Sequence, residues 1–244
     1  MQLKDLFNQW ALFTAGRYRS NQWLLSKWDT LDGVPVSEEK ISALFAHVDG
    51  ALDLKSCRRI LDAGCGGGWM SERLGSSERQ CVGVDIAFEM LRNSERKNSS
   101  VVCADLCALP FQPEVFDAVL CYFVFINFLN PAEIRRAVDE LLRVTEPGGR
   151  ILIGQLPDKS RSEGYDAAKE EYRRFCNEHF PHLRETRDQH PIPIQLYERG
   201  FWASLLDEKD CSYKVRDSFN PFFRPGQPST VNWRFDIVIQ KADR

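Results

Sequence analysis

The chain has 244 residues, 43% hydrophobic and 27% charged, which is ordinary for a globular protein and long enough to bury a full core as one domain. A net charge of −3 argues against a protein whose main business is gripping a nucleic-acid backbone, because that needs a basic footprint. No apolar run reaches the length of a membrane span, Lys4, Asp5, Asn8 and Gln9 interrupt any signal-peptide core, and the scattered cysteines form no Cys-x-x-Cys pair, so reduced thiols in a cytoplasmic protein without a metal site are expected.

Residues 1–57 are expected to form a helical lid or packing segment. Its first part is rich in aromatic residues, and Trp10/Phe13 and Leu24/Trp28 stand at helical spacing. A second helix is predicted to begin at Ser37 as N-cap, with Glu38 and Glu39 favourable in the first turn. Ile41, Leu44, Phe45 and Val48 make its apolar face, Gly50 is its expected stop, and His47 on it reads as structural.

The stretch 59–70 is the most informative. The short apolar run Arg59-Ile60-Leu61 ends in Asp62, glycines follow at 64, 66, 67 and 68, and a helix-like segment begins. Strand, tight turn and helix N-terminus make the architecture of a nucleotide-type cofactor site. Glycine lets the backbone turn sharply and approach a ligand with no Cβ in the way. The dinucleotide spacing G-x-G-x-x-G/A fails, because the third small residue counted from Gly64 would fall on Trp69.

Cys81–Asp85 reads as a second strand ending in an acid, about 20 residues past the glycines, where a carboxylate can accept both hydroxyls of a ribose. Val101–Leu106 is a third strand ending at Asp105, and Phe116–Tyr122 a fourth. The next helix has Asn130 as N-cap, Pro131 in its first position and Glu133 placed to close a capping box. Ile134, Ala137, Val138, Leu141 and Leu142 form its sheet-facing stripe. Pro147 is expected to end it, and Gly148-Gly149 to turn into a fifth strand.

Residues 158–195 read as an insertion: a polar stretch, a charged helix over Tyr165–Phe180, then an extended proline-containing segment with His182 and His190. Residues 196–208 read as the last helix. Ser212–Phe219 and Trp233–Lys241 alternate as a terminal antiparallel pair joined by the proline-rich loop 220–232.

The series Asp62-x-Gly64-x-Gly66-x-Gly68 resembles motif I of the class I S-adenosylmethionine (SAM)-dependent methyltransferases, of the small-molecule "methyltransferase domain 11"-like kind. Asp85-Ile86-Ala87-Phe88-Glu89-Met90-Leu91 is similar to the family's D-x-S-x-x-M-L stretch, and Leu141–Ile153 to its L-L-R-V-L-K-P-G-G-x-L-x-I stretch. The resemblance runs in order over about residues 57–157. It implies an α/β fold: a Rossmann-like seven-stranded, mostly parallel sheet with helices on both faces and a terminal antiparallel hairpin. Residues 1–57 would be the N-terminal helical lid, 58–157 the SAM-binding core, 158–195 a substrate-covering insertion after strand five, and 196–244 the end of a single domain.

The resemblance also implies SAM as cofactor and S-adenosylhomocysteine (SAH) as product. Asp62, with Gly64, Cys65 and Gly66, would hold the methionine end, and Asp85 the ribose. Ile86 and Met90 would sandwich the adenine, Asp105 would bond its amino group, and the Leu106 backbone would touch the ring. Tyr122 would line the site from strand four, and Arg17 would reach the carboxylate. Tyr18 and Asn127 are candidates for contact with the acceptor.

Methyl transfer is an in-line displacement, so alignment and water exclusion matter most, and a base is needed only for an acceptor that is protonated at neutral pH. His179, His182 and His190, in the predicted cover, are the candidate bases. The family's frequent His pair after strand four is replaced by Phe125-Ile126-Asn127-Phe128. The expected activity is methylation of a small-molecule or glycan-type acceptor at oxygen, with nucleic acid disfavoured by charge. Methylation of tRNA or protein, and SAM binding without catalysis, are the alternatives. The missing N-P-P-Y/F tetrapeptide argues against nucleobase or glutamine N-methylation, and the acids at 62, 85 and 105 argue against a non-catalytic binder. The oligomeric state is left open.

Overall fold

The computed structural model describes residues 4–5, 7–8, 30–31, 34–35, 37–92, 99–179, 194–219 and 233–243. Of the expected lid, residues 4–5 and 7–8 are helical, and the two-residue strands β1 (Thr30–Leu31) and β2 (Val34–Pro35) pair antiparallel, which the sequence did not announce. The helix α1 then spans Glu38–Leu52.

The main sheet has seven strands: β3 (Arg59–Ala63), β4 (Gln80–Asp85), β5 (Ser99–Cys103), β6 (Phe116–Tyr122), β7 (Thr145–Pro157), β8 (Cys211–Asp217) and β9 (Arg234–Lys241). Their order is β5-β4-β3-β6-β7-β9-β8. The first five are parallel, and β9 and β8 join antiparallel, as expected. The helices are α2 (Trp69–Leu74), α3 (Phe88–Arg92), α4 (Pro131–Val144), α5 (Ser162–His179) and α6 (Arg199–Asp207).

Strand residues alternate between two cores, as a period of two dictates. Ile60, Leu120, Tyr122 and Leu152 point to the face covered by α1 and α2. Leu61, Val119, Cys121, Ile151 and Ile153 point to the face covered by α4 and α6. Helices therefore lie on both faces.

Several boundaries differ from expectation for physical reasons. α1 runs past Gly50, because Ala51 and Leu52 are buried and an added Cβ at 50 would meet nothing; the helix closes instead on Asp53, with φ 56°. Ser37 is its N-cap through the backbone, its carbonyl accepting from Lys40 and Ile41, with no side-chain cap bond. β5 stops at Cys103, before Asp105 turns the chain by accepting the Cys107 N–H at 2.8 Å. α4 ends at Val144 and not at Pro147, because Thr145 already pairs with Phe116 in the sheet. The ladder then slips before Ala118 pairs with Arg150, so residues 146–149 bulge, with Gly148 at φ 71°. Asn130 does cap α4, its side chain accepting from the Ala132 N–H at 2.9 Å. α5 begins three residues before the predicted Tyr165.

Candidate cofactor and acceptor site

The glycine turn is built where β3 ends. Gly64, Gly66 and Gly68 have φ of 80°, 54° and 80°, a region that side chains other than glycine rarely adopt. At Gly64 the demand is double, since a Cβ would also overlap the Val124 side chain. The Gly64 and Cys65 N–H groups donate to the Val84 carbonyl at 2.7 and 2.9 Å, pinning the turn to β4.

Two carboxylates back the turn. Asp62 is 3% exposed and accepts the Ser71 hydroxyl at 2.5 Å. Burial pushes its pKa up to about 6; the Ser71 bonds oppose that rise and the charge of Asp85 adds to it. Asp85 Oδ2 accepts the Gly66 N–H and Oδ1 the Ala87 N–H, both at 2.8 Å, while desolvation raises its pKa. Gly83, between the two acids, keeps the space in which Cys65 Sγ and Ser71 Oγ lie; a Cβ there would stand 2.7 and 3.0 Å from them.

Of the remaining expected cofactor residues, Ile86, Met90, Asp105 and Leu106 lie about the ends of β4 and β5. Met90 Cε lies near the Cβ position of Gly66, and Ile86 follows Asp85 directly. The Ala104 N–H donates to the Asp85 carbonyl at 3.1 Å, which brings the exposed Asp105 and the buried Leu106 beside the end of β4. Asn127 closes a single turn of 3-10 helix after β6. Arg17, Tyr18, His182 and His190 lie outside the described residues, as does the side chain of His179, the last residue of α5.

Tyr122 belongs to a second polar cluster that sequence reasoning missed. Its hydroxyl accepts from Gln155 Nε2 at 3.0 Å, and its ring fills the space left by Gly154. Gln155 sits in an irregularity of the β7–β9 ladder with φ 66°, and its N–H turns to Asp236 Oδ1 at 2.8 Å. Asp236 is fully buried, and its Oδ2 lies 3.0 Å from His47 Nε2. Phe123, with φ 62°, donates its N–H to the Gly154 carbonyl. Two non-glycine residues in this strained region, one just past β6 and one within β7, mark a site that the surrounding packing holds against its preference. No sequence signal joins His47 to a residue 189 positions away.

Comparison with known proteins agrees with this geometry. Residues 61–153 match the family described as "Methyltransferase domain". The chain is 35% identical over 105 residues to a demethylmenaquinone methyltransferase of Corynebacterium urealyticum, covering 43% of this chain and 44% of that protein. It is 35% identical over 109 residues to a malonyl-[acyl-carrier protein] O-methyltransferase of Erwinia pyrifoliae, covering 43% and 40%. The chain thus spans less than half the length of these relatives. Magnesium protoporphyrin IX methyltransferase from Synechocystis PCC 6803 with bound SAH shares the fold with a TM-score of 0.60 at 16% identity, over 98% of both chains. Residues 61–153 thus match a methyltransferase domain, and the sheet topology around them is that of the solved SAH-bound methyltransferase fold.

Proposed function

We propose that this chain moves a methyl group from SAM to an oxygen of a small-molecule or glycan-type acceptor. The observation that carries the reading is the cradle between β3 and β4, where glycines of positive φ stand between the buried Asp62 and the backbone-held Asp85. The donor set suits SAM: a buried carboxylate for an ammonium, a second carboxylate for ribose hydroxyls, and apolar side chains at 86 and 90 for a flat ring. Bound SAM would supply an electrophilic methyl carbon for in-line displacement. Asp62 would hold the ammonium, Asp85 the ribose, Ile86 and Met90 the adenine faces, and Asp105 with the Leu106 backbone the adenine edge. The chain's own work is to align the acceptor and exclude water.

The malonyl-carrier-protein relative, named an O-methyltransferase, supports oxygen as the accepting atom, and the demethylmenaquinone relative supports a small-molecule acceptor. Incubation with methyl-tritiated SAM and a panel of hydroxyl- and carboxylate-bearing small molecules and sugars tests the reading. Label in a small-molecule ether or ester supports it. Label appearing only in added tRNA or protein would replace it.

A further inference from the structure

His47 and Asp236 come together from opposite ends of the chain, and the carboxylate is fully committed. Asp236 Oδ1 accepts the Gln155 N–H at 2.8 Å and the Ser218 hydroxyl at 2.5 Å, and its Oδ2 faces His47 Nε2 at 3.0 Å. An ionised carboxylate only accepts, so the favourable tautomer carries its proton on Nε2 and leaves the lone pair on Nδ1. Arg216 Nη2, which can only donate, stands 3.2 Å from the same nitrogen and favours the opposite tautomer; the shorter contact, to the buried Asp236 carboxylate, favours Nε2–H. The ring stacks on Phe219 with centroids 5.1 Å apart, and the His47 side chain keeps 12% of its surface exposed.

The place of this pair matters as much as its geometry. It lies at the C-terminal end of β6 and β7, the end of a parallel sheet where ligands bind. Val124 forms the wall against Gly64 of the cofactor turn, and its neighbour Phe123 bonds Gly154, next to Gln155. One short stretch of chain therefore joins the cradle to the His47–Asp236 pair. The strained Gln155 is the residue whose N–H steadies the carboxylate.

We propose that His47 is the base that takes the proton from the acceptor hydroxyl, with Asp236 as its positioning residue. The inference rests on the reading of transfer to oxygen. As the hydroxyl oxygen bonds to the methyl carbon, the methyl–sulfur bond breaks and its electron pair stays on sulfur. The hydroxyl proton passes to Nδ1, and the imidazolium so formed keeps its Nε2–H on Asp236 until water removes the extra proton. A histidine held by an oriented carboxylate is the general form of an activated base. His47 takes the role considered for His179, His182 and His190.

The test uses the full chain saturated with SAH and labelled with 15N-histidine. The expected result is the Nε2–H tautomer for His47, changed by Asp236→Asn, whose amide can donate to Nε2. Diethyl pyrocarbonate should then modify His47, read by peptide mass, because a reachable lone pair is nucleophilic. The Nδ1–H tautomer, or a His47 that resists modification, would overturn the proposal. With catechol as a hydroxyl probe and methyl-tritiated SAM, His47→Gln and Asp236→Asn should each slow transfer by about 10²–10⁴-fold while SAM affinity changes less than about twofold. Equal losses in affinity and in rate would reduce the pair to a structural role. The tautomer and modification readouts need no acceptor. Wild-type protein that passes both but labels no oxygen would overturn the oxygen reading and, with it, the base role of His47; oxygen labelled at an undiminished rate by His47→Gln would overturn the base role alone.

Discussion

The Ser71 hydroxyl donates to Asp62 Oδ2 at 2.5 Å, and both residues are shut away from water. One hydrogen bond does not replace a carboxylate's hydration, so burial leaves Asp62 with a pKa near 6 against an ordinary 3.8. The charged form of the acid behind the glycines is thus held at a cost that a proton or a neighbouring cation relieves.

The sign of that cost is testable. A raised folded pKa means the folded state binds a proton more tightly than the unfolded state, so stability is lost as pH climbs from about 3.8 through about 6. A rise of that size corresponds to on the order of 3 kcal/mol of apo-state stability. An ammonium against Asp62 favours the charged form, so SAM affinity should increase between about pH 5 and pH 7. Calorimetric titration across that range should show the rise in wild type and its loss in Asp62→Asn. A flat wild-type profile would refute the assignment of Asp62 to the ammonium.

Gly64→Ala should destabilise the fold by about 2–5 kcal/mol, combining a strained φ with an overlap on Val124. Urea denaturation measures it. Adding Val124→Ala should recover the overlap but not the backbone strain, so the double variant should fall between wild type and the single variant after correction for Val124→Ala alone.

Asp85→Asn should weaken SAM by roughly 10–100-fold, the value of replacing a charged acceptor of hydroxyl bonds by a neutral one. The same titration reads it. Loss of affinity below twofold would remove Asp85 from the ribose.

Asn130→Ala should cost about 1 kcal/mol in urea denaturation by freeing the Ala132 N–H at the start of α4, with SAM affinity unchanged. A cost near zero would mean that Pro131 and the buried stripe hold the helix start without the cap.

What the sequence displayed was what is local in it. Asp62, Gly64, Gly66 and Asp85 sit on a strand–turn–helix–strand unit whose geometry follows from nearby residues, with β3 paired to β4 and the Gly66 N–H donating to Asp85. The Ile134–Leu142 stripe likewise sits on α4, against the core. Helix ends were less legible, because the burial of Ala51 and Leu52 and the sheet pairing of Thr145 outweighed the stop signals at Gly50 and Pro147. The His47–Asp236 pair was illegible. It depends on a ladder irregularity at Gly154–Gln155 and on α1 packing across β7, neither of which has a sequence pattern.

The measurement that tests the central claim most directly is calorimetric titration of the wild type and the Asp62→Ala/Asp85→Ala double variant with SAM, SAH and NAD. Micromolar binding of SAM and SAH by wild type, none of NAD, and none of any of the three by the double variant is the predicted result. No binding of SAM or SAH by wild type, or unchanged affinity in the double variant, would contradict the site described between β3 and β4.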